Sequence, residues 1–91
     1  MYQFLIVDDS YGQRGVIKFF VAQRVEKWLI HEAKHGREGW EMFQKEPYDL
    51  VITDVKMPFM DGHEFAQRMK SKSPETPILF ISGYEDFHFV K

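Results

Sequence analysis

Short apolar runs alternate along this chain with stretches whose apolar residues recur at helical spacing. Two runs, Tyr2-Gln3-Phe4-Leu5-Ile6-Val7 and Leu50-Val51-Ile52-Thr53, are nearly continuous, the habit of parallel strands buried on both faces. Trp28-Leu29-Ile30-His31-Glu32-Ala33 alternates only in part, as a half-exposed edge strand does. Ile78-Leu79-Phe80-Ile81-Ser82 reads as a fourth strand. Between the first two strands, Ser10-Tyr11-Gly12-Gln13 has the Ser-x-x-Gln form of a capping box. Val16, Ile17, Phe20 and Val21 then predict one inward helix face.

His35-Gly36 marks a turn. A second helix is expected from about Arg37 to Lys45, with Trp40 and Phe43 inward and Pro47 just past its end. Asp61 and Glu64 form a second capping pair, opening a third helix with Phe65, Ala66 and Met69 inward. Lys70 and Lys72 fall near its end, where the helix dipole favours cations. Pro74 and Pro77 bracket the next loop, Gly83 begins a turn, and Tyr84 to Lys91 starts a fourth helix. Strands alternating with helices imply right-handed crossovers: an α/β fold, a doubly wound parallel sheet with helices on both faces.

The chemistry sits where strands end. The first strand ends in Asp8-Asp9 and the third in Asp54. In an open α/β sheet, sites collect just beyond the carboxyl ends of the strands. Three acids on one rim repel one another unless a cation or phosphoryl group holds them. Mg²⁺ suits such a set, because it takes hard oxygens, one or two carboxylates and phosphate. Any one of these aspartates alone reads more readily as a helix cap or a strand end than as a ligand, by about two to one; the doublet together with a third acid on a separate buried strand reverses that.

Composition narrows the rest. The 91 residues suffice for one domain, and 44% hydrophobic content is that of a globular protein. The net charge is -2 and the 12 basic residues are scattered, so no nucleic-acid-binding stripe is present. The absence of cysteine excludes disulfides and thiolate metal sites. No run approaches a membrane span and Met1-Tyr2-Gln3-Phe4 lacks the charged region of a signal peptide. A cytoplasmic domain is expected. The four histidines, His31, His35, His63 and His88, fall on different elements without ligand spacing and read as surface or turn residues. Trp40, Phe43, Phe65, Phe80 and the Phe19-Phe20 pair read as core.

Three segments carry a resemblance. Leu5-Ile6-Val7-Asp8-Asp9-Ser10, Asp49 through Gly62, and Pro77-Ile78-Leu79-Phe80-Ile81-Ser82-Gly83 resemble, in order and spacing, the receiver domain of bacterial two-component response regulators. Ser82 to Phe87 resembles the subgroup whose receivers precede AraC-type helix-turn-helix domains. The resemblance implies a flavodoxin-like receiver fold with strand order 2-1-3-4. It implies that Asp54 accepts a phosphoryl group from a sensor histidine kinase. Asp8, Asp9, Asp54 and the backbone carbonyl of Lys56 would hold Mg²⁺. Ser82 serves equally, from spacing, as a turn serine or as a donor to a phosphoryl oxygen; the resemblance favours the switch hydroxyl. Such a domain catalyses only its own phosphorylation and dephosphorylation, and switches conformation for an output, here transcriptional regulation. Pro58 stiffens the loop after the acceptor, and Gly62 is expected to supply permissive backbone where the third helix starts. Lys56 and Tyr84 lie where the family tunes access of water to the phosphoryl group.

A complete receiver has five strands and five helices, so residues 1–91 read as a receiver domain incomplete at its C-terminus. The remainder of the fourth helix, the fifth strand and the last helix, on the order of 25 to 30 residues, are then expected to be missing. The lysine normally on that last strand has no match, and Lys91 belongs to the fourth helix. Mg²⁺ binding is then expected to survive while phosphorylation and switching are impaired. Strand four becomes an apolar edge, predicting poor stability or self-association through the strand-four and helix-four face. Two other functions compete: a non-phosphorylated, receiver-like interaction module, and an Asp-x-Asp phosphatase. The phosphatase wants its acids one residue apart, whereas Asp8 and Asp9 are adjacent. No direct contact with nucleic acid or membrane is expected of this segment.

Overall fold

The computed structural model describes residues 2–24 and 28–81. Its elements run β1 (Tyr2–Val7), α1 (Tyr11–Arg24), β2 (Trp28–Ala33), α2 (Gly36–Lys45), β3 (Leu50–Asp54), α3 (Gly62–Lys72) and β4 (Ile78–Ile81). The four strands form one sheet in the order β2-β1-β3-β4, and all pairs are parallel. This is the doubly wound α/β arrangement expected from the alternation of patterns. Ser82, Gly83 and the expected fourth helix lie outside the described residues.

The pleat of β1 divides the core. Leu5 and Val7 face α2 and α3, where they pack with Val51, Phe43, Phe65 and Met69. Phe4 and Ile6 face α1, where Ile52 joins them and Ile17 and Val21 cover them. Adjacent residues therefore serve opposite layers, which is why the run reads as continuously apolar. β2 is the half-buried edge its pattern predicts. Phe65, Ala66 and Met69 are buried as expected, and Trp40 lies half-buried beside buried Phe43.

Both caps form, and in each the reciprocal bond of a full capping box goes to another partner. Ser10 Oγ accepts from the Gln13 N–H at 3.1 Å, but the Ser10 N–H goes to Asp8 Oδ1 at 2.8 Å, where a full capping box would turn it to Gln13. Asp61 Oδ1 accepts from the Glu64 N–H at 2.9 Å, while the Glu64 carboxylate pairs with Arg68 at 2.9 Å.

The face of α1 departs from expectation. Ile17 and Val21 point inward, but Val16 and Phe20 are exposed. The two i, i+4 pairs are offset by one residue, about 100° around the helix, so both cannot meet the sheet. Phe19 and Phe20 are 59% and 54% exposed and touch edge to face at 5.9 Å, outside the core expected for them. Phe80 is exposed as well, on β4.

Candidate metal centre at the carboxyl ends of the strands

The register aligns Val7 with Thr53, so the next residues, Asp8 and Asp54, leave neighbouring central strands side by side. One carboxylate oxygen from each of Asp8, Asp9 and Asp54 lies within 4.8 Å of the others. Like charges at that separation repel by about 3 kcal/mol per pair at an effective dielectric near 20. Asp8 is 1% exposed and Asp54 8%, whereas Asp9 faces solvent.

Burial pushes the Asp8 carboxyl up from 3.8 to about 6; the charges of Asp54 and Asp9 add to this, and the N–H of Ser10 opposes it. Asp54 is also raised, by burial first, with the Asp9 charge adding and the N–H of Val55, 2.8 Å from Oδ1, opposing. Asp8 Oδ2 is buried and has no hydrogen-bond partner among the described residues. A buried carboxylate oxygen without a donor is costly. Oxygen donors only, one of them orphaned, with an exposed acid on the open side, fit a hard divalent cation that keeps some of its water.

The backbone around the site is tightly packed. The Gly62 N–H donates to Val55 O at 2.8 Å, and a Cβ on Gly62 would collide with the Asp54 carbonyl. Gly62 is thus required by close approach and not, as expected, by a permissive φ. Among the described residues, the left-handed one is Phe59, at φ 72°. It sits in a turn closed by Met60 N–H to Pro58 O at 2.8 Å, and its ring lies 4.7 Å from that of His35. Across the loop, a Cβ on Gly36 would strike Met60 O.

The comparisons with known proteins agree with this geometry. A family model described as the response regulator receiver domain matches residues 4–91. The chain belongs to the response regulator receiver domain family. It is 39% identical over 79 residues to the autoinducer 1 sensor kinase/phosphatase LuxN of Vibrio campbellii, covering 87% of this chain and 9% of LuxN. It is 35% identical over 96 residues to the transcriptional regulatory protein YesN of Bacillus subtilis, covering 100% of this chain and 25% of YesN. The chain therefore spans a quarter or less of these relatives. The response regulator TrrA of Thermotoga maritima, solved in complex with Mg²⁺-BeF, superposes with a TM-score of 0.84 at 30% identity, covering 99% of this chain and 76% of TrrA. TrrA in complex with the histidine kinase ThkA gives 0.81 at 32% identity over 92% of this chain and 71% of that one. The sheet order and helices are those of the flavodoxin-like receiver fold.

Within this receiver domain, the structure brings Asp8, Asp9 and Asp54 together. The Lys56 side chain, two residues past Asp54, is exposed. Ser82 and Tyr84 lie outside the described residues. Three histidines have local partners: His31 Nδ1 meets the Tyr48 hydroxyl at 2.7 Å, His35 Nδ1 accepts from the Glu38 N–H, and His63 lies against the Phe80 ring. His88 lies outside the described residues. Burial, with the charge of Glu46, raises the Tyr48 phenol to about 12. No helix among the described residues is long and apolar enough to cross a membrane.

Sequence reading missed Arg14. It is 7% exposed and donates from Nη1 to the Asp8 carbonyl at 2.7 Å and from Nε to Glu32 at 3.0 Å. An arginine in the first turn of a helix reads as a solvated charge; only its spacing from Ile17 and Val21, three and seven residues on, hinted at the inward face.

Proposed function

We propose that Asp54 is the phosphoacceptor of this receiver domain and that Asp8, Asp9, Asp54 and the backbone carbonyl of Lys56 hold Mg²⁺. The observation that carries the reading is the triad of carboxylates within 4.8 Å, with Asp8 Oδ2 buried and unpaired. The Mg²⁺-BeF complex of TrrA supports it, since that ligand pairs the cation with a phosphoryl mimic on the same fold. Bound Mg²⁺ would neutralise the carboxylates and the phosphoryl oxygens, lowering the cost of bringing two anions together.

The donor is a phosphohistidine of a sensor kinase, a class supported by the ThkA complex of TrrA. A carboxylate oxygen of Asp54 attacks phosphorus as the phosphorus–nitrogen bond breaks. The electron pair stays on the imidazole nitrogen, and the product is an acyl phosphate. The Val55 N–H on Oδ1 orients the carboxylate. Ser82, one residue past the end of β4, is the hydroxyl that donates to the new phosphoryl oxygen. The relationship to YesN supports a transcriptional output, delivered in the cytoplasm by protein beyond this receiver unit. Self-phosphorylation and dephosphorylation are the chemistry of the domain, which turns over no separate substrate.

The test is incubation with Mg²⁺ and a small-molecule phosphodonor, followed by intact-mass measurement. A phosphoryl adduct that needs Mg²⁺ and is absent from Asp54→Asn is expected. No adduct, or one that persists in Asp54→Asn, would overturn the assignment.

A further inference from the structure

We propose that Arg14 is a positioning residue for the acidic site, acting as a strut that fixes the peptide joining Asp8 to Asp9 and so sets Mg²⁺ affinity. The inference rests on the Mg²⁺ reading above and extends it to residues outside the carboxylate triad.

The Asp8 carbonyl belongs to the peptide unit that links the two acids, so its direction governs how both carboxylates leave the backbone. Arg14 Nη1 holds that carbonyl at 2.7 Å in a buried hydrogen bond. The other end of the guanidinium is anchored on β2, where Nε meets Glu32 Oε1 at 3.0 Å. Lys18 takes Oε2 of the same carboxylate at 2.8 Å. The Asp8 N–H is held on β2 as well, by Ala33 O at 3.1 Å. Glu32 and Ala33 are consecutive on β2 and pair with Ile6 and Val7. The residue carrying the most buried carboxylate is thus gripped from both sides by one edge strand, once directly and once through Arg14.

Packing alone is a weak reason for this arrangement. The same helix face uses Ile17 and Val21 against the sheet, and burying the Arg14 guanidinium carries a desolvation cost that a partner carboxylate 29% exposed offsets only in part. Positioning is a sufficient reason. Mg²⁺ demands near-octahedral geometry, and groups that orient its ligands change affinity by roughly 10–100-fold when removed. Arg14 supplies its two bonds from one rigid fork, which a lysine cannot do.

The experiment is Mg²⁺ titration by calorimetry, paired with thermal melting of the metal-free proteins. Arg14→Ala should weaken Mg²⁺ binding by about tenfold or more, and Arg14→Lys should recover part of the loss. Arg68→Ala, which removes the same charge from an exposed pair on α3, should stay within twofold of wild type. Arg14→Ala with a wild-type binding constant overturns the inference even if its melting temperature falls, because that is the result of a purely structural role. If Arg14→Ala fails to fold, Glu32→Gln decides: it keeps Arg14 and removes the charge that anchors it. Weakening of threefold or more supports the strut, and no change refutes it. A wild-type chain that takes up no Mg²⁺, or an Asp8→Asn chain that binds as well as wild type, overturns the metal reading itself.

Discussion

Replacing Asp8 by Asn should stabilise the metal-free protein at neutral pH and destroy its response to Mg²⁺. The carboxyl titrates near 6 in the fold against 3.8 as its ordinary value. Ionising the carboxyl in the fold therefore costs on the order of 3 kcal/mol. The sign follows from proton linkage. A group whose folded pKa is raised favours folding fully below about 3.8, and that contribution is lost as pH rises through about 6. Above pH 6 the folded protein therefore carries the whole cost of an ionised Asp8. The Asn variant does not. It keeps an oxygen for the Ser10 N–H, 2.8 Å from Oδ1 in the wild type, but that bond loses its charge assistance, about 1 kcal/mol. The net gain at pH 7.5 is about 2 kcal/mol, or roughly 10 °C in melting temperature for a chain of this size.

Near pH 4.5 about two thirds of the cost in the wild type is already relieved, and the two proteins should melt close together. Saturating Mg²⁺ reverses the order: at a hundred times its dissociation constant it adds about 2.7 kcal/mol to the wild type and little to the variant. Urea unfolding followed by tryptophan fluorescence, at both pH values with and without Mg²⁺, measures all four terms. An Asp8→Asn protein no more stable than wild type at pH 7.5 without metal would refute the electrostatic reasoning. So would a stability gap that does not narrow with acidification.

Three further outcomes follow from the packing. Gly62→Ala forces a methyl against the Asp54 carbonyl; it should cost about 1–3 kcal/mol and weaken Mg²⁺ binding in calorimetry, so unchanged affinity would show that Asp54 tolerates the shift. Phe65→Ala empties a fully buried site beneath β1 and β3 and should cost about 3–5 kcal/mol, enough to leave a marginal domain largely unfolded by circular dichroism at 37 °C. Leu79 and Phe80 are exposed on β4, the last strand of the described sheet. Because these apolar side chains stand in solvent, concentration-dependent self-association is expected in sedimentation velocity and should fall in Leu79→Lys; a wild-type chain monomeric at every concentration would refute it.

The strands and the acidic rim were legible because both depend on local patterns that tertiary structure does not overrule. A continuous run such as Phe4 to Val7 has one comfortable place, a strand covered on both faces, and Asp8 is then delivered to the rim. The face of α1 was not legible, because Val16 with Phe20 and Ile17 with Val21 form two equally good stripes. Only the position of the helix over Phe4 and Ile6 chooses between them. Arg14 stayed hidden for a related reason: its burial is tolerable only because Glu32 arrives from β2, 18 residues away in sequence. The reason for Gly62 was not legible either, since a glycine needed for close approach and one needed for a positive φ look alike in sequence.

Asp49 occupies the opposite end of the same two strands from the acidic rim. It precedes β3, is exposed, and accepts the Gln3 N–H at 2.7 Å while its own N–H reaches Gln3 O at 2.8 Å. That aspartate ties β1 to β3 at their amino ends. Asp8 and Asp54 stand at the carboxyl ends of the same two strands and face one another. β1 and β3 are the central strands of the sheet, paired on both sides. An acid at the end of an edge strand escapes repulsion by fraying; one at the end of a central strand cannot, because fraying would break two ladders and expose Val7 or Thr53, both fully buried. Burial of an aliphatic side chain contributes about 1.5–3 kcal/mol, so one or two residues of the β1–β3 core offset the roughly 3 kcal/mol held at Asp8. The apolar strands and the acidic rim are therefore one device: the core fixes the carboxylates at a separation they would not choose, and a cation bound there would relieve it.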